Sequence, residues 1–210
     1  MTALARAQLR ADEAAAAPPT SVELGRVFVA FAMLAVQGTR RLYECRFVLR
    51  PSKSPMLVPH WLLGIAFYTF MGLAVWIHGS GAILAAWTSG RPAIVVTPRV
   101  PSAVALFLMA SLKQNECHCY LAGLKKYTLP SEGLFRHLVC PHYSCECVIY
   151  LAIAFVAAPP GSLFNPSVLC GLVFVAGNLG VTARTTKQWY ARKFGADNVA
   201  GRWAMIPFVF

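Results

Sequence analysis

Residues 57 to 77 read LVPHWLLGIAFYTFMGLAVWI, with no Asp, Glu, Lys or Arg and a single histidine, His60. This length matches the roughly 17 to 25 apolar residues that carry a helix across a bilayer. A second uncharged run extends from Pro166 to Ala183, and shorter ones cover Val27 to Val36, Pro101 to Leu112 and Val148 to Ala158. The short runs span only with their flanking residues. The sequence therefore predicts an all-α, multi-pass transmembrane helical bundle of about five spans.

Composition agrees. Hydrophobic residues make up 57% of the chain and charged ones 13%, with a mean hydropathy of +0.55. An ordinary soluble domain is about half apolar and a quarter charged. The net charge of +11 raises nucleic acid as a partner, but its distribution argues against that. Arg40, Arg41, Arg46, Arg50 and Lys53 follow the first span. Lys113, Lys125, Lys126 and Arg136 follow the third, and Arg184, Lys187, Arg192, Lys193 and Arg202 the fifth. With five spans these clusters share one side, and short basic loops face the cytosol. The N-terminus is then luminal and the C-terminus cytosolic.

Residues 1–20 are alanine-rich and broken at Pro18-Pro19, which predicts a disordered leader without a signal-peptide core. Residues 21–210 are expected to form one membrane-embedded domain. Pro51 and Pro55 break the basic segment, and Gly79-Ser80-Gly81 with Pro92, Pro98 and Pro101 predict a loop. Leu129 to Gly133 reads as a turn. Pro159-Pro160-Gly161 closes a helical hairpin, and Asn165-Pro166 opens the last span.

Between these spans lies a polar island from Lys113 to Tyr150, holding three of the five histidines and five of the seven cysteines. Concentrating ring nitrogens, phenols and carboxylates in so apolar a chain points to a site. His142, Glu146 and Tyr150 recur every four residues and share a helix face.

Five blocks in order carry a resemblance. They are Arg40-Arg41-Leu42-Tyr43-Glu44-Cys45, Tyr127 to Phe135, Cys140-Pro141-His142-Tyr143 with Glu146, Gln188-Trp189-Tyr190 with Lys193-Phe194, and the ending Ile206 to Phe210. Over roughly residues 36 to 210 the chain resembles the C-terminal domain of the steroid 5α-reductase family, most closely its polyprenol reductase branch. Members normally carry further N-terminal membrane sequence before the first block. One or two spans are thus expected to be missing here, or the leader to be misassigned.

The resemblance implies an NADPH site of non-Rossmann type, set in the helical bundle. Arg41 and Arg184 would meet the cofactor phosphates, for which guanidinium forks are suited; both also read as topology-setting charges. Gln114, His118, Tyr127, His142, Glu146, Tyr150 and Tyr190 occupy further cofactor-contacting positions. Tyr127 and Tyr190 also read as interfacial anchors. Thr185, Thr186 and Lys187 stand where several members place a histidine, so that residue's role does not transfer.

The implied reaction saturates the α-isoprene double bond of a long-chain polyprenyl lipid, towards dolichol for N-glycosylation, in the endoplasmic reticulum membrane. Polyprenal is the easier acceptor, because a conjugated carbonyl takes up the charge left by hydride addition and an allylic alcohol cannot. A donor must then face that oxygen. The steroid branch uses a glutamate and a tyrosine. The glutamate has no match here, and the tyrosine position falls near Gly38. Glu44 and Tyr43 are the catalytic candidates read from the residues, a partly buried glutamate being able to stay protonated. The rival reading pairs Glu44 with Arg40 or Arg41. Two other functions stay open: a sterol or enoyl-lipid reductase, and a truncated non-catalytic membrane protein. The cysteines lack the two-residue spacers of structural zinc sites and read as free thiols, so no metal is expected.

Overall fold

A computed structural model describes residues 21–49, 57–89 and 97–209, and the regular structure of these residues is helical apart from one isolated parallel bridge between Leu138 and Trp203. Helix α1, Leu24–Tyr43, buries Val27, Ala30, Met33, Leu34 and Gln37 at helical spacing. It runs directly into a π-helical turn, Glu44–Val48, where the amide of Leu49 donates to the Glu44 carbonyl at 2.8 Å. Helices α2 (Val58–Ser89), α3 (Arg99–Gly123), α4 (Pro141–Val156), α5 (Pro166–Phe194) and a short α6 (Asp197–Ala200) follow. A 3-10 turn, Gly133–Arg136, lies between α3 and α4.

The centre of the bundle is α4. Ile149, Tyr150, Ala152, Ile153, Ala154 and Val156 are all buried, and α4 packs on α3, α5 and α1. Its C-terminal end is tied down by side chains and its N-terminal end by main-chain bonds. Arg26 donates to the carbonyls of Val156 at 2.8 Å and Ala158 at 2.5 Å, placing a cation where the helix dipole leaves partial negative charge. Asn165 donates to Ala157 at 3.0 Å and caps α5 by accepting from Val168 at 3.1 Å, with Pro166 in the first turn. At the other end Val139 donates to Trp203 at 2.8 Å and Cys140 to Ala204 at 2.9 Å, which docks the C-terminal segment beside the start of α4.

Two helices, Val58–Thr88 and Pro166–Phe194, are long and apolar enough to cross a membrane. Both exceed the spans read from sequence, because α2 continues past Ile77 and α5 past Ala183. The largest difference is at Gly79-Ser80-Gly81, which is helical rather than a loop. Its glycines serve close approach: a Cβ on Gly79 would lie 2.4 Å from a Val27 methyl, and one on Gly81 3.0 Å from Ser21. Small residues let membrane helices approach in this way. The leader at 1–20 and the breaks at Pro51, Pro55 and Pro92 lie outside the described residues.

Gly79→Ala is expected to destabilise, although alanine is the better helix former. Overpacking against stiff, β-branched Val27 costs about 1–3 kcal/mol. Thermal unfolding in one detergent should show a lower midpoint for Gly79→Ala than for an alanine placed at Gly64, which has nothing within 4 Å.

Candidate active site

The last turns of α1 carry Gln37, Arg40, Arg41 and, at the π turn, Glu44. With three- and four-residue spacing they share one face, turned to α3 and α4. Glu44 and Gln37 are 0% exposed and Gln114 is 2% exposed. Burying such groups is tolerable only when their hydrogen bonds are met. The Glu44 carboxylate is contacted by both guanidiniums, Arg41 at 2.5 Å. Asn115 donates to it at 2.8 Å and the His118 Nδ1 lies 2.7 Å away.

Burial alone would raise the Glu44 carboxyl. The hydrogen bonds from Asn115 and Arg41 and the charges of His118 and Arg40 outweigh it and hold the group at about 2. Glu44 is thus an ionised acceptor, the ion-paired arrangement of the two read from sequence.

Gln114 knits three helices together. Its Oε1 accepts from Gln37 at 3.2 Å and from Arg40, and its Nε2 donates to the His142 carbonyl at 3.0 Å and to Glu146. Gln37 also donates to Glu146 at 3.1 Å, and its own Oε1 accepts from Arg40 at 2.8 Å. Arg41 bridges outward to His118, 2.8 Å from Nδ1.

This layer forms one wall of a cavity of about 480 Å³, within the size range of small-molecule sites. Arg41, Gln114, His118, His142, Glu146 and Tyr150 make that wall. Leu63, Phe67, Phe174, Val175 and Leu179, from α2 and α5, make the opposite, apolar one. The cavity is two-faced: cations, amides and imidazoles on one side, and mostly hydrocarbon on the other, where His60, Tyr68 and Asn178 are the polar groups.

His142 brings an uncommitted ring nitrogen to this wall. Its ring packs on Tyr143 and His118, at 4.3 and 5.4 Å between centroids, and its Nδ1 is buried with no partner among the described residues. Burial, then the charges of His118 and Arg41, push the imidazole down to about 3. Burial and Arg41 also lower His118, against Glu44. Both rings are therefore neutral donor–acceptors near pH 7.

The sign of the His142 shift makes a prediction. The unfolded chain takes up a proton below 6.5, whereas the folded one does so only near 3. The stability from this group is complete above 6.5 and lost as pH falls towards 3. Glu44 adds a similar loss only below 4.5. His142→Asn should flatten the fall in unfolding midpoint between pH 6.5 and 4.5.

Of the sequence-derived candidates, the structure gathers Arg41, Gln114, His118, His142, Glu146 and Tyr150 at the cavity and sets Glu44 behind Arg41 and His118. It does not bring Tyr43, Tyr127, Arg184 or Tyr190 there. Tyr43 is 57% exposed and lies on Phe47, since adjacent helical residues point about 100° apart. Tyr127 has a left-handed φ of 66° and sits under Lys193, 3.9 Å from its ring. Tyr190 packs with Val139 and Cys140 in a separate cluster, and Arg184 is exposed.

Gln37, Asn115, Tyr68 and Asn178 escaped sequence reading. Gln37 carried a signal, standing three and seven residues before Arg40 and Glu44. Tyr68 and Asn178 lay inside apolar runs. Among the described residues no histidine, cysteine or acidic group clusters as a metal site. All seven cysteines are free thiols, and burial pushes Cys117 and Cys140 up to about 12.

Comparison with known proteins follows the same outline. The family described as 3-oxo-5-alpha-steroid 4-dehydrogenase matches residues 54–210. The chain is 34% identical over 171 residues to a protein of Saccharomyces cerevisiae named polyprenal reductase, covering 81% of this chain and 60% of that protein. Similarity to polyprenal reductase of Xenopus tropicalis is 29% over 194 residues, covering 88% and 61%. For polyprenal reductase 2 of Oryza sativa subsp. japonica it is 30% over 220 residues, covering 88% and 59%. The chain thus spans about three fifths of the length of these relatives.

Proposed function

The chain belongs to the 3-oxo-5-alpha-steroid 4-dehydrogenase family, and from that premise we propose that it reduces the α-isoprene double bond of polyprenal, with NADPH, towards dolichal and so dolichol. The observation that carries the reading is the two-faced cavity. A long prenyl chain needs hydrocarbon walls, supplied by α2 and α5. A dinucleotide needs cations and hydrogen-bonding groups, supplied by α1, α3 and α4. The names of the relatives favour polyprenal over a sterol.

The residues present fit such a cofactor. Arg41 offers a guanidinium at the cavity wall already oriented by Glu44. His142 offers a buried Nδ1 with no partner among the described residues, suited to a carboxamide or a ribose hydroxyl. Gln114, His118, Glu146 and Tyr150 complete the polar wall, and Arg184, Tyr127 and Tyr190 remain as candidates for the cofactor's outlying groups. When bound, the cofactor supplies hydride.

Glu44 acts here as a positioning residue: it keeps Arg41 and His118 turned towards the cavity and remains ionised. Tyr43, beside it, points outward and would reach substrate only by a change in the π turn. The apolar wall excludes water, which strengthens every polar interaction across the cavity.

We place the protein in the endoplasmic reticulum membrane with about five spans, the basic helix ends and C-terminus cytosolic. It would supply dolichol for protein N-glycosylation. NADPH titrated onto the purified chain in lipid nanodiscs should bind saturably and more tightly than NADH. Equal affinity for both, or no binding, would contradict the cofactor assignment.

A further inference from the structure

Resting on the reading that the cavity reduces a conjugated carbonyl, we propose that Tyr68 is the catalytic hydroxyl that binds the carbonyl oxygen while charge develops on it. Tyr68 lies on α2 at the seam of the two walls, lining the cavity beside Phe67 and facing Tyr150. At that seam the polar head of an apolar substrate meets the polar wall. Its side chain is 41% exposed, whereas Tyr150 is 1% exposed. Of these two cavity-lining phenols, Tyr68 is the accessible one.

Several other groups around the cavity are already committed. Glu44 is ionised and fully buried, so it has no proton to offer. Arg41 is held by Glu44 and His118. Gln114 spends its amide on the His142 carbonyl and Glu146. Tyr43 lies outside the cavity.

The fold prepares Tyr68 for this role. Gly38 on α1 has no Cβ, and one built there would sit 3.8 Å from the Tyr68 Cε1. The phenol is thus laid along α1. Tyr150 lines the same cavity as Tyr68 and Glu146 and is fixed by Phe67 edge-on at 5.3 Å. Glu146 in turn accepts from Gln37 and Gln114. If Tyr150 donates to the Tyr68 oxygen, the Tyr68 hydroxyl is left to donate into the cavity, and each bond polarises the next.

The atoms balance as follows. Hydride gained at the β carbon, from a dihydronicotinamide donor, forms the new C–H bond and moves the double-bond pair between the α and carbonyl carbons. The carbonyl π pair moves onto oxygen, which accepts the hydrogen bond from Tyr68. The α carbon then takes one proton from water and the carbonyl re-forms. The product is the saturated aldehyde, and Tyr68 ends with its proton. Tyr150 is a positioning residue that acts through Tyr68.

The test compares the full chain with Tyr68→Phe and Tyr150→Phe in nanodiscs, using polyprenal labelled with ¹³C at the carbonyl. Steady-state reduction with NADPH is one readout. The carbonyl stretch of bound polyprenal in isotope-edited infrared spectra, without cofactor, is the other. Loss of one preorganised donor typically lowers kcat about 10²–10³-fold. Tyr68→Phe should lose that much with KM little changed, and its bound carbonyl stretch should rise towards the unbonded value. Tyr150→Phe should show a smaller change of both. Unaltered kcat and stretch in Tyr68→Phe would overturn the assignment while leaving the reductase intact. If the unmutated chain reduces no polyprenal, the reductase reading fails. The stretch then decides separately whether Tyr68 is the donor: a Tyr68-dependent shift supports it, and its absence overturns it.

Discussion

Glu44→Ala is expected to loosen the polar end of the bundle by about 3–5 kcal/mol, the cost of removing one partner from a buried ion pair. Arg40, Arg41, Asn115 and His118 all converge on this one carboxylate. Its loss leaves two guanidiniums in a site built for an anion. Glu44→Gln keeps the shape and one acceptor oxygen, and should fall between the parent and the alanine variant. Unfolding by SDS in mixed micelles measures the difference. An unchanged Glu44→Ala midpoint would mean that the four partners find other acceptors. Because Glu44 orients Arg41, the same variants should also weaken NADPH binding.

The second large effect is expected at Arg41 itself. A hydrogen bond to a charged group contributes about 1.5–3 kcal/mol, so Arg41→Ala should weaken NADPH binding by about 10- to 150-fold. Arg41→Lys should recover part of this, since a point charge replaces the planar fork. Added salt should narrow the gap, because the residue is partly exposed and its attraction to phosphate is screened. Arg184→Ala, at an exposed position away from the cavity, should change affinity much less.

Much of the fold was legible because apolar runs report helices directly. Each run lies within or overlaps one of the observed helices α1 to α5, and Asn165-Pro166 marks the start of α5 as its cap chemistry requires. What sequence concealed was length and contact. Gly79 and Gly81 have the local signature of a turn, but their use is set by Val27 and Ser21 on another segment. No local rule contains that contact.

The site divides in the same way. His142, Glu146 and Tyr150 were legible because one helix repeats them every four residues. Gln114 and His118 were read from the family resemblance alone, and lie on the neighbouring helix α3. Tyr127 and Tyr190 were read as cofactor positions from the resemblance, yet their surroundings are the Lys193 ammonium and the C-terminal cluster. Tyr68 was hidden because a phenol in an apolar run reads as lipid-facing until the opposing wall is known.

One assay bears most directly on the central claim that the two-faced cavity is a polyprenal reductase site. The chain in nanodiscs is supplied with NADPH and polyprenal, with polyprenol and a conjugated sterol ketone in parallel. Mass spectrometry reads the products, and Arg41→Ala and His142→Ala serve as cavity variants. A two-hydrogen gain on polyprenal, falling in both variants and absent from the sterol, is the expected result. A folded, NADPH-binding chain that leaves polyprenal unreduced would contradict the account.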